Sequence, residues 1–259
     1  MRKQLLVCGL LALASSTSSF ADDKKFTLAD IKTLVSQKSY QEAVSHLTDI
    51  PPSERNADFL AVAADAAVGY LGTADSRSKY YAFEMFDTQL PMLLKSPKYA
   101  KARIDGVASF ETCLSGYGRE DCFERAFKFV DVDPTNGELA LKMAKLVRRN
   151  SSPAAAAAGF FKRAVAAAGK NTTAVCKDED LKMTVVSGFN VPSDYEDSKA
   201  VKEIVTGNCW SELKSVVQDE YKKAGETSYE RLNTCAILKA KNSLSADQTR
   251  ACERAKKSD

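Results

Sequence analysis

The ten residues CLSGYGREDC, from Cys113 to Cys122, decide how we interpret this chain. Two cysteines enclose a turn of Gly116, Tyr117 and Gly118, and a helical pattern of apolar residues runs into the turn from each side. A disulfide across such a turn would hold the two helices together at their ends. The stretch therefore predicts a helix hairpin closed by a disulfide, which is typical of an oxidising compartment.

The first residues of the chain have the parts of a secretory signal peptide. Arg2 and Lys3 form the charged start, residues 5–14 form a short apolar run, and small residues lead up to Ala21. The apolar run is shorter than the roughly 20 residues that a transmembrane helix needs. We predict a signal peptide of residues 1–21, cleaved after Ala21, and a periplasmic location for the remaining chain.

The length and charge of the chain exclude several classes of partner. Removal of the signal peptide leaves 238 of the 259 residues, enough for one large domain or one continuous repeat array. The formal net charge of +3 falls to +1 when Arg2 and Lys3 are removed. Acidic and basic residues are interleaved, so nucleic acid and anionic lipid would find no concentrated basic face. We expect no nucleic-acid partner and no membrane span after signal removal.

Six cysteines remain once Cys8 leaves with the signal peptide: Cys113, Cys122, Cys176, Cys209, Cys235 and Cys252. An even number of cysteines in an exported chain predicts disulfides, although the sequence alone does not select their connectivity. We favour pairing of neighbours along the chain, because each such pair flanks a predicted helix–turn–helix. All six follow residue 112, so the N-terminal part is expected to be held together by packing alone.

The rest of the chain predicts helices and no convincing strand, so the predicted fold class is all-α. Four helix starts have a hydroxyl residue three positions before an acidic or amide residue, the spacing of a capping box: Thr27–Asp30, Thr135–Glu138, Thr227–Glu230 and Ser245–Gln248. Prolines are expected to stop a helix of residues 40–47 before Pro51 and to kink a helix of residues 80–94 at Pro91.

Four of the predicted helices share an alanine followed four positions later by a large apolar residue: Ala43/Leu47, Ala82/Phe86, Ala126/Val130 and Ala157/Phe161. Tyr40, Ala43 and Pro51 are spaced like the second half of a tetratricopeptide repeat. Cys122, Ala126 and Pro134 repeat this arrangement with the same distance from alanine to proline. Residues 26–168 therefore resemble a tetratricopeptide-like helical repeat, although the distance from alanine to proline is shorter and the Trp-x-x-Leu-Gly pattern is missing.

The resemblance implies a right-handed array of antiparallel helix hairpins over residues 22–168. It also implies a concave surface that binds other proteins and carries out no chemistry. Residues 169–259 would follow as a disulfide-bonded helical region. An irregular helical bundle is the alternative fold, because an alanine and an apolar residue four positions apart occur in any packed helix pair.

The sequence predicts no catalytic, cofactor-binding or metal-ligating residues. His46 is the only histidine, and no motif of a catalytic triad accompanies it. Asn136 and Lys142 occupy the sixth and twelfth positions of a loop that starts at Asp131, where an EF-hand requires glycine and glutamate.

We interpret the acidic clusters of residues 178–180 and 194–197 as the first turns of helices, where carboxylates complement the helix dipole. Paired catalytic carboxylates or a weak cation site are the alternative. A hydrolase that uses residues 194–197 is the weakest alternative.

The candidate partner-binding residues are four aromatics within seven positions: Tyr80, Tyr81, Phe83 and Phe86. One helix face cannot hold all four, and the two phenylalanines fit the apolar stripe, which leaves Tyr80 or Tyr81 partly exposed. Exposed tyrosines beside a helical groove are typical of protein interfaces. Helices packed on both faces of this segment would be the alternative explanation.

These features favour a periplasmic helical-repeat scaffold or adaptor that binds another envelope protein and catalyses no reaction. Exported subunits of this kind resemble parts of envelope-spanning bacterial machines for motility, secretion or assembly. The alternative function is an extracytoplasmic binding module for a small molecule, a peptide or a glycan held between helices.

Overall fold

The computed structural model describes residues 25–115, 119–150, 154–167, 176–179, 181–182, 186, 189, 202–207 and 209–256. These residues form helices joined by turns and contain no strand, which confirms the predicted all-α class. Among them, no helix combines the length and the apolar character that crossing a bilayer would require. The predicted signal peptide lies outside the described residues.

Twelve α-helices can be delimited within the described residues: α1 Leu28–Ser36, α2 Tyr40–Ser45, α3 Ala57–Thr73, α4 Ser76–Gln89, α5 Pro97–Gly106, α6 Glu111–Ser115, α7 Arg119–Asp131, α8 Gly137–Arg149, α9 Ala154–Ala167, α10 Trp210–Lys223, α11 Tyr229–Ala240 and α12 Ala246–Lys256. Short 3₁₀ helices are present at Leu47–Asp49, Pro52–Glu54, Pro91–Lys95 and Val107–Phe110.

Two of the predicted capping boxes are confirmed. At the start of α1, the Thr27 backbone N–H donates to Asp30 Oδ2 at 2.9 Å, and the Asp30 N–H donates to Thr27 Oγ1 at 3.3 Å. Ser245 and Gln248 exchange the equivalent pair of bonds before α12. Each box satisfies backbone donors that the first turn of a helix leaves without an intrahelical acceptor.

The other two predicted helix starts are wrong by one residue. Asn136, rather than Thr135, caps α8 and accepts a hydrogen bond from the backbone of Leu139 at 3.0 Å. Ser228, rather than Thr227, caps α11. Asparagine and serine are at least as effective as threonine at this position, so two adjacent capping residues leave the starting point open in the sequence.

Pro91 ends a helix instead of kinking it. α4 stops at Gln89, Leu90 adopts φ −133° and ψ 53°, and a 3₁₀ helix begins at Pro91. The ring of a proline disfavours the α conformation in the residue before it, which explains why Leu90 leaves the helix. α2 is also shorter than predicted, since it ends at Ser45 and a 3₁₀ turn follows.

One continuous apolar core connects the described helices. All eight residues of the alanine–apolar pairs belong to it: Ala43, Leu47, Ala82, Phe86, Ala126, Val130, Ala157 and Phe161. A repeat array and an irregular bundle would both bury these residues. The repeat arrangement therefore stays a prediction, while the buried face of each helix is established.

Two glycines allow aromatic rings to lie directly on helix backbones. A Cβ atom on Gly69 of α3 would collide with the ring of Tyr40 from α2, and one on Gly106 of α5 would collide with the ring of Phe83 from α4. Neither ring could stay in place beside a larger residue. These contacts bring α2 close to α3 and α4 close to α5.

Three disulfides join cysteines that are neighbours along the chain, as predicted. Cys113–Cys122 links α6 to α7, Cys176–Cys209 leads into α10, and Cys235–Cys252 links α11 to α12, with Cα–Cα distances of 5.9, 5.3 and 5.7 Å. These distances lie in the usual range for disulfides. The turn at residues 116–118 lies outside the described residues.

Candidate functional site

The structure separates the four aromatic candidates on α4 into two pairs. Phe83 and Phe86 are buried in the core, and Phe83 contacts the ring of Phe129 with centroids 5.1 Å apart. Tyr80 is half-buried, whereas Tyr81 is 43% exposed. Only the two tyrosines reach the surface, so only they are placed to touch a partner.

Arg125 of α7 joins the two tyrosines to the neighbouring helix. The rings of Tyr80 and Tyr81 lie 4.4 Å apart, and the Arg125 guanidinium carbon lies 5.9 Å and 5.3 Å from their respective centroids. Nη1 of Arg125 also donates to Glu84 Oε2 on α4 at 2.5 Å. A guanidinium near aromatic rings is attracted by their electron-rich faces, so this contact holds α7 against the tyrosine pair.

The hydroxyl groups of the tyrosine pair differ in their electrostatic surroundings. A hydrogen bond from Tyr80, followed by one from Arg77, lowers the pKa of Tyr81, and the charges of Arg77 and Arg125 act in the same direction. Donation of that hydrogen bond, together with burial, raises the pKa of Tyr80. The charges of Arg77 and Arg125 therefore favour the ionised form of the exposed Tyr81 hydroxyl.

A cavity of about 310 Å³ opens beside Tyr80, between α4, α7 and the 3₁₀ helix Val107–Phe110. We call it the α4–α7 groove; its lining residues are Tyr80, Glu84, Asp87, Thr88, Phe110, Arg125, Lys128, Phe129 and Val132. Its floor is apolar and its rim is polar. A volume of this size is at the small end of the range found for ligand pockets, roughly 300–1,000 Å³.

Ion pairs within the protein surround the rim of the α4–α7 groove. Arg125 pairs with Glu84, and Lys128 pairs with Glu124 of the same helix at 2.9 Å. The Lys128 ammonium lowers the pKa of Glu124, and Glu124 raises the pKa of Lys128. All four side chains are at least about a third exposed, and exposed pairs of this kind contribute little to stability.

A buried charge cluster lies behind the groove and is centred on Arg103 of α5, which is fully buried. Arg103 Nη2 donates to Asp87 Oδ2 at 3.0 Å and to the carbonyl of Phe129, and Nη1 lies 3.5 Å from Asp133 Oδ2. The Tyr99 hydroxyl donates to Asp87 Oδ1 at 3.0 Å. Both carboxylate oxygens of Asp87 are therefore held from behind the groove.

The pKa of Asp87 is raised by burial, an effect that the charge of Arg103 and the hydrogen bond from Tyr99 partly oppose. Burial and the nearby Asp87 also raise the pKa of Tyr99. A carboxylate whose two oxygens accept hydrogen bonds from Arg103 and Tyr99 is suited to fixing α4 against α5. We assign Asp87 a structural role at the base of the groove.

Sequence reasoning missed this cluster, although one signal was present. Tyr99, Arg103 and Gly106 occupy one face of α5 at helical spacing, and that face is buried. An arginine on an otherwise apolar stripe requires a buried carboxylate or carbonyl partner. The sequence does not say which carboxylate, because Asp87 lies sixteen positions away.

The other candidate groups considered in the sequence have ordinary structural partners. His46 stacks on Phe26, with centroids 3.5 Å apart, and contacts Asp49 through Nδ1 at 2.8 Å. Asp178 pairs with Lys145 at 2.5 Å. Asp180 and residues 194–197 lie outside the described residues. Within the part of the chain that the structure describes, no three potential metal-ligating side chains converge.

A second and wider groove, of about 1,000 Å³, lies on the α11–α12 hairpin. Cys235 and Cys252 are at its base, and its lining contains no aromatic residue. The α4–α7 groove is narrower and combines an aromatic floor with charged rim groups. It is therefore the better candidate for specific recognition.

Comparisons with models of protein families, with curated proteins and with solved structures found no significant match to this chain. Its function must therefore be inferred from its own residues.

Proposed function

We propose that this chain is an exported helical scaffold or adaptor that binds another protein of the bacterial envelope and catalyses no reaction. The supporting observation is the exposed tyrosine beside an aromatic groove. Among the described residues, three large hydrophobic side chains are exposed, and two of them, Tyr81 and Val132, flank the α4–α7 groove. Tyrosine and arginine, with tryptophan, are enriched among the residues that contribute most of the binding energy at the centre of interfaces.

The disulfides and the helix pairing support the location and architecture in this proposal. Structural disulfides persist in oxidising compartments such as the periplasm, and the start of the chain has the pattern of a signal peptide. Helices adjacent in sequence pack against each other at α2–α3, α8–α9, α10–α11 and α11–α12. Stacked neighbouring pairs are what a tetratricopeptide-like array would use. We extend the proposal to a subunit of an envelope-spanning machine for motility, secretion or assembly.

Site-specific crosslinking in the native envelope tests this function. A photoreactive phenylalanine derivative at position 81 should capture a specific protein, because that side chain is exposed beside the groove. The same derivative at Tyr229, which is 51% exposed on α11 and does not line the groove, is the matched control. Failure to capture a specific protein from position 81, or capture of the same proteins from both positions, would contradict the proposal.

The enclosed volume of the α4–α7 groove favours one alternative, an extracytoplasmic binding module for a small molecule, a peptide or a glycan. A bound ligand stabilises the folded state in proportion to the logarithm of its concentration over Kd. A thermal-shift screen that found a small molecule or glycan stabilising the wild type, with the shift lost in Thr88→Trp, would favour this alternative. Thr88 is exposed and lines the groove, so tryptophan there should fill the cavity.

A further inference from the structure

We propose that the disulfide between Cys235 and Cys252 is a redox-sensitive switch, whose reduction by a dithiol releases α12 from α11 while the rest of the fold persists. The switch goes beyond the proposed function, since both cysteines lie outside the α4–α7 groove.

α12 buries little of its own surface. Among the described side chains of this helix, Cys252 and Ala255 are the buried ones, and the others are half-buried or exposed. A helix of 11 residues is marginal in water without packing, because helix nucleation is unfavourable. The capping box of Ser245 and Gln248 acts within the segment and does not attach it to another helix. α12 therefore depends on its attachment to the neighbouring helices.

The disulfide is the strongest of the contacts that attach α12. It joins the helix to α11 covalently, whereas Gln248 Nε2 donates a hydrogen bond to Gln218 Oε1 of α10 at 3.0 Å. A hydrogen bond between neutral side chains replaces bonds to water and gives a small net gain. α11 does not need α12 in the same way, because Ile237 and Leu238 fix it in the core.

A reductant can approach this disulfide from the groove on the α11–α12 hairpin. The groove has a volume of about 1,000 Å³, and both cysteines line it. Cys252 is 8% exposed, against 2% for Cys176 and 1% for Cys209 in the preceding disulfide. Thiol–disulfide exchange requires such access, because a thiolate must reach a sulfur atom. The Cys235–Cys252 disulfide should therefore be reduced before the Cys176–Cys209 disulfide.

A dithiol supplies both steps of the reduction. One of its thiolates attacks Sγ of Cys252, the more exposed of the two cysteines, the Sγ–Sγ bond breaks, and Cys235 leaves as a thiolate. The second thiolate of the dithiol then attacks the mixed disulfide and releases Cys252. The two protons that the dithiol loses end on the two cysteines. Two electrons reach the protein, and the dithiol becomes a disulfide.

Reduction of Cys113–Cys122 should not release α7, so this disulfide is the matched control. Phe127 of α7 stacks on Phe160 of α9 with centroids 4.2 Å apart, and Phe129 is buried in the core. These contacts hold α7 in place without the covalent link. Release of a helix on reduction is therefore a property of the last hairpin.

A time course of reduction tests the access. The mature chain is treated with dithiothreitol without denaturant, and free thiols are alkylated and identified by mass spectrometry. Cys235 and Cys252 should become alkylated at least about tenfold faster than Cys176 and Cys209. Equal rates for the two pairs would overturn the inference.

Hydrogen exchange at short times tests the release, in the double variant Cys235→Ala with Cys252→Ala. Amides of α12 should exchange at least about tenfold faster than in the wild type, while amides of α3 and α11 stay protected. In the control, Cys113→Ala with Cys122→Ala, α7 and α12 should both stay protected.

Unchanged exchange in α12, or loss of protection throughout the chain, would overturn the inference. The wild type after brief treatment with dithiothreitol provides a second measurement that needs no variant. Its α12 amides should lose protection as Cys235 and Cys252 become alkylable and regain it on reoxidation. Loss of both cysteines' disulfide without loss of protection in α12 would show that the covalent link does not hold the helix.

Discussion

Residues 25–110 contain no cysteine, whereas three disulfides connect residues between 113 and 252, and the two regions are held together by different contacts. The first region buries most of the largest fully enclosed side chains of the described chain, including Phe59, Phe83 and Arg103. The second region links two of its helix hairpins covalently. The α4–α7 groove lies at the boundary, with α4 from the first region and α7, which carries Cys122, from the second.

This difference implies that the two walls of the groove respond to different perturbations. Hydrophobic packing and buried ion pairs stabilise the folded state directly, so defects there act on the native structure. A disulfide acts largely by restricting the unfolded chain, so its loss changes the stability while the native contacts can persist.

The largest effect is expected from Arg103→Ala in the first region. The substitution leaves Asp87 buried, with only the Tyr99 hydroxyl as its remaining partner in the cluster, and breaking a buried pair in this way costs about 3–5 kcal/mol. Urea unfolding followed by circular dichroism would measure the loss. Alanine in place of the exposed Arg148 is the control and should change the free energy of unfolding by less than about 0.5 kcal/mol.

A loss below about 1 kcal/mol for Arg103→Ala would mean that the first region does not depend on its charge cluster. The double variant Arg103→Met with Asp87→Leu sharpens the result. Replacing a buried ion pair by apolar residues of similar size is often neutral or stabilising. We expect this double variant to be more stable than Arg103→Ala.

The next largest effects concern the disulfides of the second region. Cys176 and Cys209 are 33 positions apart, and Cys113 and Cys122 are 9 apart. The chain-entropy relation gives about 3.8 kcal/mol for the longer loop and about 2.7 kcal/mol for the shorter one. Paired Cys→Ala variants should therefore rank in that order in urea unfolding.

Hydrogen exchange under reducing conditions would show which helices the disulfides stabilise. We expect protection to fall in α10–α12 and to persist in α1–α5, which contain no cysteine. Equal loss of protection in both regions would mean that the chain unfolds as one cooperative unit. In that case the two regions would not differ in their dependence on the disulfides.

Features that depend on near neighbours in the chain could be predicted from sequence. The capping box at Thr27 and the division of the α4 aromatics into buried and exposed members follow from spacing. The pairing of Cys113 with Cys122 is favoured among the possible connectivities because the two cysteines enclose a short turn. At the starts of α8 and α11, two adjacent residues could each cap the helix, and the sequence did not determine which of them does.

The groove could not be predicted, because it depends on contacts between distant parts of the chain. Arg125 and Glu84 are 41 positions apart, and Arg103 and Phe129 are 26 apart. No local pattern states that α7 lies against α4. The sequence identified Tyr81 as a candidate partner-binding residue. The cavity beside it and its contact with the Arg125 guanidinium arise only when the chain folds.

A smaller effect is expected from pH, through Asp87. Because burial raises its pKa in the folded state above the unfolded value near 3.9, the native state binds more protons than the unfolded state at pH values just above 4. The contribution of Asp87 to stability should therefore decrease as the pH rises through this window, by at most about 1.4 kcal/mol per pH unit.

The comparison with Asp87→Asn isolates this contribution, because asparagine does not titrate. The difference in unfolding free energy between the wild type and Asp87→Asn, measured by urea unfolding at several pH values from 4 to 6, should shrink as the pH rises. A difference that grows with pH would show that Arg103 lowers the pKa of Asp87 more strongly than burial raises it.

The smallest effect on stability is expected from Tyr81→Ala, and this variant separates recognition from folding. Tyr81 is exposed, and substitutions at exposed positions usually change the free energy of unfolding by less than about 0.5 kcal/mol. Affinity capture of the partner protein from the native envelope should nevertheless weaken, because the residue flanks the groove and Arg125 lies over its ring. Tyr229→Ala should leave both quantities unchanged. If Tyr81→Ala lowered stability as much as the loss of a disulfide, the tyrosine pair would be part of the support between the two regions, and its exposure would no longer point to a partner.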